Sequence, residues 1–275
     1  MKLTVLVDNN TNIGNVLTPE HGLSFYIEDA DKKLIFDCGT TDAFIKNAYK
    51  IGIDLEHVTD IVLSHSHSDH IGGFSKLQHL YQKFRDIGIS FEAKNIIAHP
   101  EIFNCSNIED DTTGEEKICL SRDDIEKFFA INLSKDPIQL TENLYFMGEI
   151  PIDMEVKNDY APDETALVYK SENGLVVMSG CSHSGVQNII EHAKRVTGES
   201  RVNTLIGGIY LINRSGEEIN ELGRYFKQQH IEKIYPCHCT DLESRIILSR
   251  YVNIAEVSTG RSYVWNADTD LLCGV

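Results

Sequence analysis

The chain has 275 residues, enough for one large domain or two small ones. Hydrophobic residues make up 41% and charged residues 24%, the balance of a chain that buries a core. Forty-two acidic against 25 basic residues leave a net charge of −17, which repels phosphate backbones and anionic lipid and argues against nucleic-acid and membrane partners. No apolar run approaches the ~18 residues of a membrane helix. The opening stretch MKLTVLVDNN lacks the apolar region and cleavage site of a signal peptide, so a cytoplasmic location is expected. Seven cysteines, with no C-x-x-C among them, fit reduced thiols better than a disulfide framework.

In chain order, residues 3–7 and 23–28 read as short strands. Residues 33–37 pair with the second of them across the turn Asp29-Ala30-Asp31. Phe44, Ile45, Ala48 and Ile51 share one face of a helix over 42–52. A buried strand at 60–64, a polar loop, a helix near 74–87 and a strand at 95–98 follow. Residues 101–135 are acidic and poorly periodic, which suggests an insertion or lid on one domain spanning 1–275. The second half repeats the style. Strands at 165–170 and 174–179 precede a helix at 185–196. A strand at 203–211, a helix at 216–229, a strand at 231–236, a helix at 241–251 and a strand near 260–265 complete it. Periodicity alone supports an α/β class. The hairpin opening each half suggests a four-layer αββα sandwich.

The decisive segment is His65-Ser66-His67-Ser68-Asp69-His70-Ile71-Gly72-Gly73, at the end of a buried strand where α/β folds place ligand sites. Alternate histidines on an extended loop point to one side and can share a cation. Asp69 and His70, further on, reach a second cation or complete the first. Imidazole with carboxylate suits Zn²⁺, Fe or Mn better than Ca²⁺ or Mg²⁺. Chance yields such a run in on the order of one in a thousand chains of this composition, so a merely solvated loop is set aside.

This H-x-H-x-D-H run resembles the metallo-β-lactamase superfamily. Asp37 in Ile35-Phe36-Asp37-Cys38-Gly39 resembles its first motif, a strand-end aspartate that buttresses the metal loop. His183 in Gly-Cys-Ser-His-Ser-Gly and His238 in Pro-Cys-His-Cys-Thr resemble its later histidine motifs. Asp8-Asn9-Asn10-Thr11 and Glu20-His21-Gly22-Leu23-Ser24 narrow the likeness to the branch named after 7,8-dihydropterin-6-methyl-4-(β-D-ribofuranosyl)aminobenzene-5′-phosphate synthase. The resemblance implies one or two transition-metal ions, Zn²⁺ first, with Fe or Mn as alternatives. One would take His65, His67 and His183, and the other Asp69, His70 and His238. The superfamily's bridging Asp is replaced here by Tyr210, for which packing or hydrogen bonding is favoured over coordination. That loss leaves the two sites unequal, with the His65, His67 and His183 site expected to fill first.

His21, Asn9, His99 and Arg214 are candidates for the site wall or for binding substrate, although a surface ion pair is the default for Arg214. His57, His79, His192 and His230 read as solvated. On an extended segment Cys237 and Cys239 point away from the metal of His238, and a buried, inert thiol is favoured for Cys181. The leading reading is a metallohydrolase in which metal-bound water or hydroxide attacks an ester, lactone, thioester or phosphoester, with Asp69 orienting the water and accepting its proton. Its substrate would be a small molecule, phosphorylated and ribosyl- or pterin-like if the branch name holds, and the reaction then a condensation of transferase type. The alternatives are a di-iron redox protein acting on O₂ or NO and a non-catalytic metal-binding protein. No oligomeric state follows from the sequence.

Overall fold

The structure is a computed structural model that describes residues 1–14, 16–89, 91, 94–104, 117–154 and 161–266, and the backbone of 270–273. Its first half holds β1 (Lys2–Val7), β2 (Ser24–Asp29), β3 (Lys32–Phe36), α1 (Ala43–Lys50), β4 (Asp60–Val62), α2 (Ser68–Ile71), α3 (Phe74–Asp86), β5 (Lys94–Ala98), α4 (Arg122–Glu126) and β6 (Phe129–Leu133). The short strands β7 (Ile138–Gln139) and β8 (Leu144–Phe146) open the second half. They are followed by β9 (Ala166–Ser171), β10 (Gly174–Ser179), α5 (Val186–Thr197), β11 (Val202–Gly208), α6 (Gly216–Gln228), β12 (Lys233–Cys237) and α7 (Leu242–Leu248). Three strands close the chain: β13 (Asn253–Ile254), β14 (Ser262–Trp265) and β15 (Asp270–Cys273).

Among the described residues the strands form two sheets, in the orders β15-β14-β1-β2-β3-β4-β5-β6 and β13-β12-β11-β10-β9-β8-β7. Side-chain alternation assigns the two faces of each. In the first sheet Leu3, Val5, Phe25, Ile27, Leu34 and Phe36 meet Phe146, Leu167, Val176, Met178 and Ile206 of the second, forming a core between the sheets. The opposite face of the first sheet, with Ile35, Ile61 and Ile96, packs under Phe44 of α1 and Phe74 and Leu77 of α3. The outer face of the second sheet packs Val168, Val177 and Leu205 against Ile189 of α5, Leu222 of α6 and Leu248 of α7. The result is four layers, αββα.

The hairpin of β2 and β3 pairs in register from Phe25 opposite Phe36 to Asp29 opposite Lys32, and Asp29 ends β2 at the expected turn. In the first sheet, two strands that periodicity does not reveal sit at the edges. Within the stretch read as an insertion or lid, β6 pairs in parallel with β5. Its outward residues are half-buried or exposed, so its alternation is weak. Part of that stretch, 105–116, lies outside the described residues. At the other edge β15 pairs with β14. No helix among the described residues is long and apolar enough to cross a membrane.

The strands β3 to β6 run parallel, as do β10 to β13. Their carboxyl ends therefore collect at one rim of the sandwich. Asp37 follows β3, His65 follows β4, His183 follows β10, Tyr210 follows β11 and His238 follows β12. This is the rim at which parallel sheets leave their backbone ends free to build a site.

Candidate metal centre

Asp37 is the first residue past β3 and adopts φ 60°, a left-handed turn that Asp tolerates better than most residues. Fully buried, its Oδ1 accepts the Ser64 backbone N–H at 2.7 Å. Its Oδ2 takes the Ser64 hydroxyl at 2.6 Å and lies 2.7 Å from His70 Nδ1. Ser64 Oγ is in turn 2.8 Å from His65 Nδ1. An ionised carboxylate only accepts, so the proton sits on His70 Nδ1. With its hydrogen committed to Asp37, the Ser64 oxygen accepts from His65 Nδ1. Both imidazoles then present a bare Nε2 to the rim, which is how an outer carboxylate prepares metal-binding histidines. One aspartate thus orients a donor of each expected site.

Those donors converge. His65 Nε2 is 3.1 Å from His67 Nδ1, and the donor atoms of His65, His67 and His183 all lie within 4.8 Å of one another. His183 is placed by Glu164, whose carboxylate accepts the backbone N–H groups of His183 and Ser184 at 2.7 and 2.6 Å. Gly180, just past β10, lets that strand end lie against Ser64 ahead of the histidine run, since a Cβ there would collide with Ser64 Oγ. In the second group His70 Nε2 is 3.1 Å from His238 Nε2, and Asp69 Oδ2 is 2.9 Å from His238 Nε2 and 3.7 Å from His70 Nε2.

His238, at φ 52°, is held by the N-terminal Asp8-Asn9 pair. Asp8 Oδ1 accepts its backbone N–H at 2.9 Å, and Asn9 Oδ1 lies 3.3 Å from its Nδ1. Asn9 therefore fixes the His238 tautomer with Nε2 inward.

The electrostatics suit a cation. Burial, then the neighbouring imidazoles of His70, His67, His183 and His238, pushes the pKa of His65 well below the ordinary His value. Burial also lowers His238, against the opposing pull of Asp69. Burial opposes a charge on Asp69 too, but His70, His238 and His21 outweigh it and hold the carboxyl well below the ordinary carboxylate range. Burial thus keeps His65 and His238 uncharged beside the ionised carboxylate of Asp69, and no hydrogen-bond donor among the described residues reaches the buried Asp69 Oδ1. Such a set of bare nitrogens and an unsatisfied oxygen fits one or two transition-metal ions.

A pH dependence follows. His65 and His238 bind protons less readily folded than unfolded, so the unfolded state gains protons first as pH falls below about 6.5. Their stabilisation is complete above that value and is lost on acidification. Metal-free protein should show a urea midpoint that falls between pH 7 and pH 5, its unfolding free energy dropping by at most about 1.4 kcal/mol per pH unit for each histidine. A flat midpoint across that range would contradict the buried, uncharged cluster.

The remaining candidates divide between the centre and its surroundings. His99 is buried at the end of β5, where its Nδ1 accepts from Glu101 N at 3.2 Å and its Nε2 lies 3.3 Å from Glu149 Oε2. Arg214 pairs with Glu218 at 3.8 Å, the surface pairing taken as its default. Tyr210 is buried with its ring 4.5 Å from that of His183, so it packs on a member of the first group. His21 stands beside the second group, with Nε2 3.6 Å from Asp69 Oδ2.

Three expectations need correction. His192 is buried rather than solvated. It lies on the inner side of α5 beside Ile189 and Ala193, and its Nε2 is 2.9 Å from Met147 O. Cys239 does not point away from His238, because the left-handed backbone at His238 breaks the strand alternation. Its sulfur, that of Cys181 and a ring nitrogen of His238 lie within 4.8 Å of one another. Cys237 does face away, into the core between the sheets. Finally, Cys38, Cys181, Cys237 and Cys239 stand outside any disulfide, but Cys119 is disulfide-bonded.

Sequence reasoning missed Glu164 and its neighbour Asp163, both buried and both pushed up in pKa by that burial. Their signal was available: two adjacent acids, Asp163-Glu164, directly ahead of an apolar strand.

The sequence profile of the metallo-β-lactamase superfamily matches residues 17–83, the stretch that carries Asp37 and the His65–His70 run. The fold and the order of strand-end motifs agree with it. The chain is similar to the metallo-β-lactamase superfamily in this stretch. It is 28% identical to the 7,8-dihydropterin-6-methyl-4-(β-D-ribofuranosyl)-aminobenzene-5′-phosphate synthase of Methanocaldococcus jannaschii, over 89% of each chain. It is also 25% identical to an uncharacterized protein of the same organism, over 94% of this chain and 98% of that one. Among solved structures it resembles a metal-dependent hydrolase of the β-lactamase superfamily, with 26% identity, a TM-score of 0.78 and coverage of 97% and 99%. A metallo-β-lactamase fold protein from Bacillus subtilis shares the fold at 17% identity and a TM-score of 0.61, over 95% of this chain and 98% of that one.

Proposed function

We propose that this chain is a metallo-β-lactamase-like, metal-dependent hydrolase acting on a small phosphorylated ester, with Zn²⁺ as the metal. The observation that carries the reading is the pair of adjacent donor groups: three imidazoles at His65, His67 and His183, and Asp69 with His70 and His238 alongside. Bound there, a transition metal supplies Lewis-acid charge neutralisation and lowers the pKa of water toward neutrality.

The chain's own residues do the rest. Asp37 holds two imidazoles in the accepting tautomer through Ser64 and directly. Asp69 stays ionised, and its Oδ1, to which no described residue donates, is the atom that receives a proton from the attacking nucleophile. Glu164 keeps His183 in place from behind. With acids so far in excess of bases, the surface as a whole does not attract anions, so a phosphorylated substrate would be captured by the centre itself.

The likeness to the archaeal synthase favours a second reading, in which the same groups hold a phosphorylated ribosyl substrate for condensation with a pterin-like partner. The two separate experimentally. Protein purified without chelator should carry at least about one equivalent of transition metal by elemental analysis. It should then be assayed against a phosphodiester, a lactone and a thioester. Turnover of the phosphodiester that is lost on chelation and restored by Zn²⁺ supports hydrolysis. Metal without turnover of any ester moves the case to condensation, and absence of metal overturns both readings.

A further inference from the structure

The second donor group has a near neighbour that neither the motif resemblance nor the superfamily match assigns to it. His21 Nε2 lies 3.6 Å from Asp69 Oδ2, and the His21 and His238 rings face each other at 5.3 Å and 30°. The donor atoms of His21, Asp69 and His238 fall within 4.8 Å of one another. Four nitrogen and oxygen ligands held tetrahedrally around an ion at ~2.0–2.1 Å must sit ~3.3 Å apart. The measured separations in this group are 2.9 Å for Asp69 to His238, 3.1 Å for His70 to His238, 3.6 Å for Asp69 to His21 and 3.7 Å for Asp69 to His70. They straddle the required value.

The segment bearing His21 is fixed where such a ligand is needed. The Glu20 carboxylate accepts the backbone N–H groups of Thr40 and Thr41 at 3.0 and 3.1 Å and the Thr41 hydroxyl at 2.5 Å. Thr40 Oγ1 donates to the His21 carbonyl, and Leu23 N donates to the Asp69 carbonyl at 3.1 Å. Gly22 lets this loop lie against Asp69, because a Cβ there would stand 2.7 Å from the Asp69 carbonyl oxygen. The His21 side chain itself is 63% exposed, whereas those of Asp69, His70 and His238 are almost wholly buried. It therefore approaches from the solvent side.

We propose that His21 is the fourth protein ligand of the Asp69, His70 and His238 site. The proposal rests on the metal-centre reading given above. It makes this site closed, with four protein ligands, and leaves the His65, His67 and His183 site with three and a position open for substrate. It also reverses the filling order expected from the sequence, since the four-ligand site holds its ion more tightly.

The test uses the whole chain and Zn²⁺ or Co²⁺ alone. Wild type and His21→Ala are stripped and titrated against a chromophoric chelator, and their Co²⁺ absorption spectra are compared. Wild type is expected to bind about two equivalents. In His21→Ala the tighter equivalent should weaken by about ten- to hundredfold while the other keeps its affinity, and the Co²⁺ visible absorption should lose intensity as water replaces a protein ligand. Circular dichroism should match wild type, as expected for an exposed side chain. Wild type holding two ions with His21→Ala unchanged in both affinity and spectrum overturns the His21 assignment alone. A wild-type chain that binds neither ion overturns the metal reading and this inference together.

Discussion

Replacing Asp37 by Asn should disable both donor groups while leaving the fold in place, and replacing it by Ala should damage the fold as well. The asparagine amide fits the same space, and its oxygen can still take the Ser64 backbone N–H that lies 2.7 Å from Asp37 Oδ1. Where Asp37 Oδ2 accepts, however, the amide nitrogen donates. His70 Nδ1, 2.7 Å away, must then become the acceptor, and its proton moves to Nε2, the atom that faces His238 and Asp69. Ser64 Oγ also loses its acceptor, is free to donate to His65 Nδ1, and so shifts the His65 proton to Nε2. Each group loses a lone pair, and the affinity for each metal should fall by about ten- to hundredfold, the usual cost of an outer-shell change. Asp37→Ala strands three buried donors with no acceptor, which costs about 3 kcal/mol or more. Chelator competition and urea unfolding on the three proteins would check both outcomes. An Asn variant with wild-type metal affinity would mean that the two histidines do not depend on Asp37 for their tautomers.

What the sequence revealed and what it hid divide along physical lines. Buried strands such as β1, β3 and β4 are legible because both faces are covered, one by the opposite sheet and one by helices, so they read as unbroken apolar runs. Edge strands are not. Half of β6 faces out, and β7, at the far edge of the second sheet, is only two residues long. The metal loop is legible because its chemistry requires His and Asp at short fixed spacing. Support from a distance is not, since nothing local links Asn9 to His238, 229 residues away, or Glu164 to the backbone of His183. The Cys239 sulfur eluded an alternation argument because one left-handed residue, His238, turns the chain out of the strand. For Tyr210 the sequence favours packing or hydrogen bonding over coordination, and the structure shows its ring packed on His183.

Loss of a first-group imidazole should have the largest effect on activity. His67 sits at the start of α2 with extended backbone, and its Nδ1 faces His65 Nε2 at 3.1 Å. His67→Ala leaves two imidazoles, His65 and His183, too few to hold an ion that keeps a position open for substrate. Metal content should fall by about one equivalent, and any hydrolytic turnover by about 10²- to 10³-fold, the cost of removing a group that stabilises developing charge. Added Zn²⁺ should not restore it at ordinary concentrations. Two histidines outside the centre serve as controls. His79 is exposed on α3 with its Nδ1 2.7 Å from Ser75 O, and His230 is exposed at the end of α6. Their alanine variants should keep wild-type metal content and turnover, because neither lies among the converging donors. Measuring metal first and activity second separates binding from chemistry. His67→Ala that kept its metal but lost turnover would make His67 a substrate contact instead of a ligand. If the control variants lost metal alongside His67→Ala, the centre would not lie at the rim of β3, β4, β10 and β12.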